Sequence, residues 1–377
     1  MLLLPLAGTE AAAQAVLDIK GYGDDVLKAT YYSPGKPGPA VLLLHMCNSD
    51  RRAWAGLGAK LAARGIHALA LDYRGYGESG GKRSEDPLEA QADRTALWPK
   101  DIDAAVGVLT EQAGVNREQI GVGGASCSVD QAIQLARRLP QVKTLVLLAG
   151  ATDRDGEAFL DSNPWLPVFG AAAADDPGAV DEMQWLVGFS AFPGSRAVEY
   201  PRGGHGTDLF AAQADLEPAI VDWFDQHLAK QPVVRAAGAA DSARGPSVAT
   251  ARTLQSPGGA AQLREQLRAA KARGDRLTLP PETVVNQRGY DLLQARDVKA
   301  AIETFLLNVE ARPMSANALD SLSDAYEADG QTALAIEFAE KALAALPADP
   351  NKAEIYQNAV KTSAEAKLAK LRNAVKA

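Results

Sequence analysis

The stretch "IGVGGASCSVDQAIQLA", residues 120–136, carries a candidate nucleophile. It begins as an apolar strand, tightens through glycines and continues as an amphipathic helix. A serine hydroxyl is a useful nucleophile only when it is exposed and has a base and oxyanion donors beside it. A sharp strand–turn–helix corner exposes it, because the apex residue takes a positive φ and the residues two before and two after must be small. Gly124 and Ser128 occupy those positions, so the corner predicts Ser126 as the nucleophile.

The neighbours of Ser126 are poorer candidates. Cys127 would have Ala125 and Val129 at the flanking positions, and the β-branched Val129 is too bulky there. Ser128 would lie one turn inside the helix. It also stands where the motif usually has a second glycine, so the motif match is incomplete while its steric logic is kept.

The corner lies within a long region of alternating strand-like and helix-like segments. From about residue 16 to residue 230 this alternation predicts a mostly parallel, doubly wound sheet with helices on both faces. Apolar runs over 40–46, 66–73 and 142–150 are the predicted buried strands around the corner. The first domain is therefore an α/β domain over residues 16–230.

The order of these segments resembles the α/β-hydrolase family. The likeness depends on the serine corner, on "VLLLHMCNSDR" about 80 residues before it, and on "LALDYRGYGESGG" between the two. In that family an H-G turn supplies one oxyanion amide and the residue after the nucleophile supplies the other. His45 and Met46 match the H-G pair, and Met46 departs from it. The resemblance implies that the backbone amides of Cys47 and Cys127 form the oxyanion hole.

The chain has two cysteines, Cys47 and Cys127. The resemblance places them on opposite sides of the oxyanion hole. Two amides that converge on one oxygen bring their side chains close, so the resemblance suggests a disulfide between them as a hypothesis. Two unbonded, packed thiols are the alternative. Two cysteines are too few for a disulfide framework or a structural zinc site.

The general base is predicted from the positions of the four histidines. His205, in "EYPRGGHGTDLF", follows the last predicted strand in a glycine-rich loop, where an accessible imidazole is useful, and it matches the histidine turn of the resembled family. His45 belongs to the oxyanion turn, His67 to a buried strand and His227 to the closing helix. We therefore expect His205 to be the base.

The acid should follow the preceding strand. The segment "LPVFGAAAADDP" offers two aspartates, and counting from Pro167 along a family-like strand favours Asp176. Asp175 is the alternative acid. Asp153 and Asp155, which follow an earlier strand, are weaker candidates.

Ser126, Asp176 and His205 follow one another in the order of the resembled family. The resemblance implies a serine hydrolase, first of all a carboxylesterase that cleaves small acyl esters through an acyl-enzyme. A peptidase or amidase would use the same residues. A non-catalytic, hydrolase-like scaffold is the contrasting interpretation, because Met46 and Ser128 depart from the motifs. The predicted chemistry requires no cofactor and no metal.

The composition changes after Leu228. Residues 231–257 are rich in Ala, Gly, Ser and Pro and have no sustained period, which predicts a flexible linker. Residues 258–377 read as an all-α, C-terminal helical-repeat domain, because "AIETFLLNVEARP" and "AIEFAEKALAALP" align 34 residues apart.

That period resembles the tetratricopeptide repeat. It implies two units over 281–314 and 315–348, followed by a cap helix, and a module that binds a protein partner or another copy of the chain. Ser323 stands where the repeat usually has glycine. A plain helical bundle is the alternative.

Charge and hydropathy exclude two classes of partner. A net charge of −8 over 377 residues gives no footing for nucleic acid, and no apolar run approaches the roughly 18 residues of a membrane span. The start, "MLLLPLAGTEAAAQA", has an apolar block and a small-residue pattern at Ala13–Ala15. It reads either as a clipped signal peptide of a periplasmic or secreted protein, or as a frayed tail of a cytoplasmic one.

Overall fold

The computed structural model describes residues 13–23, 25–231, 244–275 and 277–376. These residues divide into two units between Gly245 and Pro246. We call the first the α/β unit and the second the helical unit.

One sheet of eight strands forms the centre of the α/β unit. The strands are β1 Ala13–Lys20, β2 Val26–Ser33, β3 Gly38–Leu44, β4 His67–Leu71, β5 Val115–Ala125, β6 Val142–Leu148, β7 Val168–Ala173 and β8 Arg196–Tyr200. Their order in the sheet is β1-β2-β4-β3-β5-β6-β7-β8. β3 to β8 run parallel, and β2 is antiparallel to its neighbours β1 and β4. The predicted mostly parallel sheet is confirmed.

The central strands are apolar along their whole length because helices cover both faces of the sheet. All of β4 and β7, and six consecutive residues of β3, are buried. Three strands have other bounds than the predicted apolar runs. β3 lies at 38–44 and not at 40–46, and β4 lies at 67–71 within the predicted 66–73. β6 ends at Leu148 and not at residue 150, since Ala149 takes a left-handed conformation with φ 48°.

Six helices of the α/β unit lie in the connections between successive strands, and two more follow β8. They are α1 Ala55–Arg64, α2 Pro87–Ala96, α3 Trp98–Glu111, α4 Ser128–Arg138, α5 Arg154–Ser162, α6 Ala179–Val187, α7 Leu209–Ala212 and α8 Leu216–Phe224, with short 3-10 turns at Arg51–Trp54 and Gly206–Asp208 and a π-helical turn at Asp225–Lys230. Because parallel strands end at the same edge of a sheet, the segments that follow β3, β5, β7 and β8 meet at one edge.

The helical unit is built from consecutive helices. They are α9 Pro246–Gln255, α10 Gly259–Arg273, α11 Glu282–Gln294, α12 Val298–Ala311, α13 Ala316–Ala328, α14 Thr332–Ala345 and α15 Glu354–Lys376, with a 3-10 turn at Leu346–Ala348. The bounds of α13 and α14 repeat those of α11 and α12 with an offset of 34 residues. The helix pairs thus have the period found in the sequence, and their assignment to the tetratricopeptide family stays a prediction.

The predicted flexible linker needs a correction at its C-terminal end. Residues 232–243 lie outside the described residues, but residues 246–255 form α9. Val248, Ala251 and Leu254 make one buried stripe on this helix, and Leu254 packs with Ala260 and Leu263 of α10. The Ala-rich and Ser-rich composition concealed this short helical period.

The N-terminal segment is described only in part. Residues 1–12, which hold most of the predicted signal peptide or tail, lie outside the described residues. Ala13–Ala15 begin β1, an edge strand that the sequence did not reveal, and they pair with residues 31–33 of β2. Among the described residues, no helix combines the length and the apolar character that crossing a membrane would require.

Candidate active site

Ser126 stands at the apex of the turn between β5 and α4. Its φ of 55° is left-handed, and its N–H donates to the Leu148 carbonyl over 2.9 Å. A Cβ at Gly124 would lie 2.2 Å from the Ser128 carbonyl oxygen, so only glycine fits two residues before the apex. The turn is therefore as sharp as the sequence predicted.

A second glycine makes room for this turn from the neighbouring strand. A Cβ at Gly150, just after β6, would lie 2.2 Å from the Ser126 carbonyl oxygen. Sequence reasoning missed this requirement, although "LLAG" at the end of a predicted strand contained the signal. The nucleophile turn thus depends on glycines in two separate segments.

His205 lies in the loop after β8 and joins Ser126 to Asp176. Its Nε2 is 2.7 Å from the Ser126 Oγ, and its Nδ1 is 2.7 Å from the Asp176 Oδ2. Since a carboxylate only accepts, we assign the proton to Nδ1, which leaves Nε2 to accept from the serine hydroxyl. The His205 side chain is 43% exposed and that of Asp176 only 17%, so the imidazole is accessible while its orienting carboxylate is sheltered.

The pKa of His205 is raised above its ordinary value. The hydrogen bond that the Nδ1–H donates to Asp176 is the main cause, partial burial opposes it, and the negative charges of Asp176 and Asp208 add to it. An imidazole whose protonated form is stabilised in this way can take a proton from the Ser126 hydroxyl and hold it during a reaction.

Asp175, the alternative acid, contacts a different group. Its carboxylate accepts from the Gly203 N–H over 3.0 Å and from the Gly204 N–H over 3.1 Å. Both glycines have positive φ values, 152° and 69°, and they immediately precede His205. Asp175 therefore holds the histidine loop, whereas Asp176 meets the imidazole.

The two weaker acid candidates lie on α5. Asp153 is its N-cap and accepts from the Gly156 N–H over 2.8 Å. Asp155 forms an exposed ion pair with Arg137 over 3.1 Å. The structure brings neither of them to His205.

Cys47 and Cys127 are joined by a disulfide with a Cα–Cα distance of 6.0 Å. Cys47 follows β3, and Cys127 directly follows Ser126. In the described part of the chain, the backbone N–H groups of both cysteines lie outside helices and strands and donate to no protein acceptor. Two donors are thus left at the edge of the sheet beside the candidate nucleophile.

His45 holds the turn after β3 from inside the protein. It is fully buried, its Nδ1–H donates to the Met46 carbonyl over 2.7 Å, and its Nε2 accepts from the Tyr73 N–H over 3.2 Å. Burial lowers its pKa, against the smaller raising effects of the Met46 hydrogen bond and nearby carboxylates. Because Nε2 accepts a hydrogen bond and Nδ1 donates one, we assign the ring its neutral form with the proton on Nδ1.

The departures from the usual motifs have a physical explanation. The Ser128 hydroxyl is buried, donates to the His45 carbonyl over 2.6 Å and accepts from the Tyr73 hydroxyl, 2.8 Å away. Met46 is buried in the core, and its Sδ lies 3.0 Å from the position of a Cβ on Gly206. Ser128 thus connects the two turns, and Met46 packs beneath the histidine loop. Sequence reasoning missed the role of Tyr73.

The sheet order and the serine turn after β5 define the class of the α/β unit, which has the α/β-hydrolase fold. Residues 35–174 match a family model described as serine aminopeptidase, S33. That stretch includes Cys47, Ser126 and Cys127 and ends before Asp176 and His205.

Two curated relatives are uncharacterised proteins of Mycobacterium tuberculosis, from strains CDC 1551 and H37Rv. Each is 32% identical to this chain over 179 residues, which is 45% of this chain. The chain spans 58% of the length of these relatives.

Similar solved structures include three hydrolases. They are an esterase of Pyrococcus furiosus, a dienelactone hydrolase from Anabaena variabilis and a cold-adapted esterase from an Arctic intertidal metagenomic library. Their identities to this chain are 17, 18 and 21%, and their TM-scores are 0.44, 0.44 and 0.46. Each match covers 58% of this chain and, respectively, 92, 100 and 95% of the other chain.

Proposed function

We propose that the α/β unit is a serine hydrolase, and specifically a carboxylesterase that cleaves small acyl esters through an acyl-enzyme. The observation that carries this proposal is the line of contacts from Ser126 through His205 to Asp176, with both hydrogen-bond distances at 2.7 Å. A nucleophile, a base and a group that orients the base within hydrogen-bond reach are the requirements for acyl transfer.

In the acylation step, the Ser126 Oγ attacks the ester carbonyl carbon while Nε2 of His205 takes the hydroxyl proton. The carbonyl oxygen becomes an oxyanion, which accepts hydrogen bonds from the Cys47 and Cys127 amides. When the tetrahedral intermediate collapses, the carbon–oxygen bond to the alcohol breaks and His205 returns the proton to the leaving oxygen.

In the deacylation step, water replaces the alcohol. His205 takes a proton from the water as it attacks the acyl-enzyme, and it then returns that proton to Ser126 as the acid product leaves. Asp176 does not take the proton in either step. Its role is to keep Nδ1 protonated and to stabilise the imidazolium that forms in each half of the reaction.

The segments between the proposed nucleophile and base are short, which supports a site open to solvent. Every residue from Ser126 to His205 is described, and the longest connection there outside helices and strands is residues 188–195. No large cap is inserted in this stretch. The partial exposure of His205 is consistent with a site that short esters reach directly from solvent.

A peptidase or amidase activity is the second candidate. The match of residues 35–174 to the serine aminopeptidase model favours it, and the same three side chains would carry it. The two chemistries differ in the leaving group, which is an amine that must be protonated before it departs in the second case.

The test is a substrate screen on the wild type and Ser126→Ala. Graded p-nitrophenyl esters and aminoacyl p-nitroanilides are compared, and a fluorophosphonate probe reports the nucleophile by covalent labelling. We expect turnover of short-chain esters, and labelling that Ser126→Ala abolishes. Turnover of the anilides alone would favour the peptidase. Absence of labelling in the folded wild type would favour the non-catalytic scaffold.

For the helical unit we propose docking of a peptide segment of a protein partner, or of a second copy of the chain. The 34-residue offset between the helix pairs supports this, since stacked helix pairs expose extended surfaces. Sedimentation velocity of the full chain over a range of concentrations separates self-association from a monomer.

For localisation we propose an oxidising compartment, such as the periplasm or the exterior of the cell. The Cys47–Cys127 disulfide supports this, because reducing conditions in the cytosol keep most thiols unpaired. Fractionation of intact cells, followed by thiol labelling of each fraction, checks the proposal.

A further inference from the structure

We propose that the Cys47–Cys127 disulfide and Ser128 together position the two oxyanion amides, so that turnover depends on the oxidised state of the cysteines. We call the two links, Cys47–Cys127 and Ser128–His45, the oxyanion clamp. This inference rests on the proposed serine hydrolase function. In this inference Cys47, Cys127 and Ser128 are positioning residues, because their side chains act on the reaction only through the backbone groups that they hold in place.

The first link is covalent and joins the two donors themselves. The proposed donors are the amides of the same two residues whose side chains form the disulfide. They come from separate segments, one after β3 and one after β5, with 80 residues between them. An oxyanion hole works only when both donors converge on one oxygen, and free loops would have to be ordered for each turnover.

The second link lies beneath the first and is buried. The Ser128 hydroxyl donates to the His45 carbonyl over 2.6 Å and is itself fixed by the Tyr73 hydroxyl at 2.8 Å. The segment that carries the Cys47 amide is therefore held to the nucleophile turn at two points, residue 45 and residue 47. A glycine at position 128, as in the usual motif, could not form this link.

Within the turn itself there are few other hydrogen bonds that would keep the Cys47 amide in place. The Ser49 N–H and the His45 Nδ1–H both donate to the Met46 carbonyl, over 3.1 Å and 2.7 Å. These bonds fix the shape of the turn but do not tie it to α4. Leu44 at the end of β3 is paired with Gly124 of β5 in the sheet. Beyond that last pair of the ladder, the polar and covalent connection of residues 45–47 to the nucleophile turn depends on the clamp.

Reduction removes the covalent link without removing any donor. A dithiol such as dithiothreitol converts the disulfide to two thiols and is itself oxidised to a cyclic disulfide. Because the oxyanion forms only after attack, looser donors should lower kcat and leave KM nearly unchanged. Loss of one oxyanion donor lowers kcat by about 10²- to 10³-fold, so loosening both should lower it by at least about tenfold.

The experiment compares the oxidised wild type, the wild type reduced with dithiothreitol, and Cys47→Ser/Cys127→Ser, with a p-nitrophenyl ester as substrate. We expect reduction to lower kcat at least about tenfold, and reoxidation to restore it. The double variant should have the kcat of the reduced wild type, and dithiothreitol should not change that value. The inhibition constant of a trifluoromethyl ketone, whose adduct carries an oxyanion, should rise in parallel with the loss in kcat.

Ser128→Ala tests the second link. We expect a fall in kcat of roughly three- to tenfold in the oxidised protein, and a larger fall when the disulfide is also reduced, because the two links hold the same turn. Circular dichroism of the reduced wild type shows whether the fold persists and keeps the test independent of how the variants fold.

Two outcomes would overturn the inference. One is a folded, reduced wild type whose kcat stays within about twofold of the oxidised enzyme while the fluorophosphonate probe still labels Ser126, which would leave the proposed function intact. The other is absence of labelling in the oxidised protein, which would overturn the proposed function together with the inference.

Discussion

Left-handed backbone residues and the disulfide are arranged differently in the two units of the chain. In the α/β unit, the left-handed Ser126 and Ala149, with φ values of 55° and 48°, and the single disulfide lie in segments that follow β3, β5 and β6. In the helical unit, irregular features recur with the helices. Arg296 and Gly330, with φ values of 62° and 74°, end α11 and α13 and are 34 residues apart. The left-handed residues that repeat end helices, whereas several irregular features that converge once indicate a site.

Ser323 and Ser128 each stand where a motif usually has glycine, and their hydrogen bonds differ between the two units in the same way. Ser323 donates to the Ala335 carbonyl over 2.6 Å, within its own helix pair, whereas the Ser128 hydroxyl reaches residue 45, 83 positions away. The glycine equivalent to Ser323 in the first pair is Gly289, where a Cβ would lie 2.4 Å from the Phe305 ring. The position equivalent to Phe305 in the second pair is Ala339, so no ring excludes a serine there.

The largest expected effect concerns two adjacent carboxylates of the α/β unit. We expect Asp176→Asn to lower kcat by about 10³- to 10⁴-fold, because an amide would favour the wrong tautomer of His205 and could not stabilise its charged form. Steady-state kinetics with a p-nitrophenyl ester measures the effect. The pH at which kcat/KM rises should also fall, since the Asp176 hydrogen bond is the main cause of the raised pKa of His205.

Asp175→Asn is the matched control. Its carboxylate meets only the Gly203 and Gly204 amides in the histidine loop, and an asparagine oxygen can still accept from them. We expect kcat to fall less than about tenfold. Equal losses in the two variants would contradict the assignment of Asp176 as the acid. They would also mean that these two neighbouring positions of the α/β unit do not have different roles.

The sequence predicted much of this arrangement because sharp turns and parallel strands leave local signals. The serine corner, the glycine-rich histidine loop and the 34-residue period can each be read from a short window. Long-range contacts left no such signal. The Ser128 hydroxyl partners, the space required at Gly150 and the different contacts of Asp175 and Asp176 depend on segments that only the folded sheet brings together.

Local composition also pointed to the wrong structure at two elements, α9 and β1. In α9 the helical stripe is only three residues long and lies in an Ala-rich and Ser-rich stretch, so its composition resembled that of a linker. The edge strand β1 contains both exposed and buried residues and follows an Ala-rich segment, which concealed its pairing with β2. In both elements tertiary packing decides the structure and local propensity does not.

An intermediate effect concerns a buried carboxyl of the α/β unit. Glu157 is only 7% exposed and accepts from the Trp185 Nε1–H over 2.6 Å, and burial raises its pKa to about 7. Its folded-state pKa lies above its unfolded value, so its charged form destabilises the fold above about pH 7. That cost is relieved as the pH falls from about 7 towards the unfolded value.

We therefore expect Glu157→Gln to be more stable than the wild type at pH 8, by on the order of 2 kcal/mol, and the two to converge near pH 5. Urea unfolding at both pH values measures the difference. Glu118→Gln is the control, because Glu118 is exposed and its variant should follow the wild type at both pH values. A difference that is the same at pH 8 and pH 5 would show that burial does not alter this carboxyl.

The smallest expected effect tests whether equivalent positions of the helical unit are interchangeable. The Arg296 N–H donates to the Leu293 carbonyl over 3.0 Å, and the Gly330 N–H donates to the Glu327 carbonyl over 3.0 Å, so the two helix ends have the same geometry. Arg296 is exposed, and a Cβ at Gly330 would meet nothing within 4 Å. The cost of a side chain at either position is then mainly that of the left-handed backbone.

We expect Arg296→Gly to raise the free energy of unfolding by about 0.5–1 kcal/mol and Gly330→Arg to lower it by a similar amount. Thermal denaturation of the full chain, with the melting of the helical unit followed by hydrogen exchange, measures both changes. Opposite and nearly equal shifts would show that the two helix ends obey one rule. A large loss of stability from Gly330→Arg alone would mean that the second helix pair has a constraint that the first pair lacks. The left-handed residues at the two helix ends would then not be equivalent.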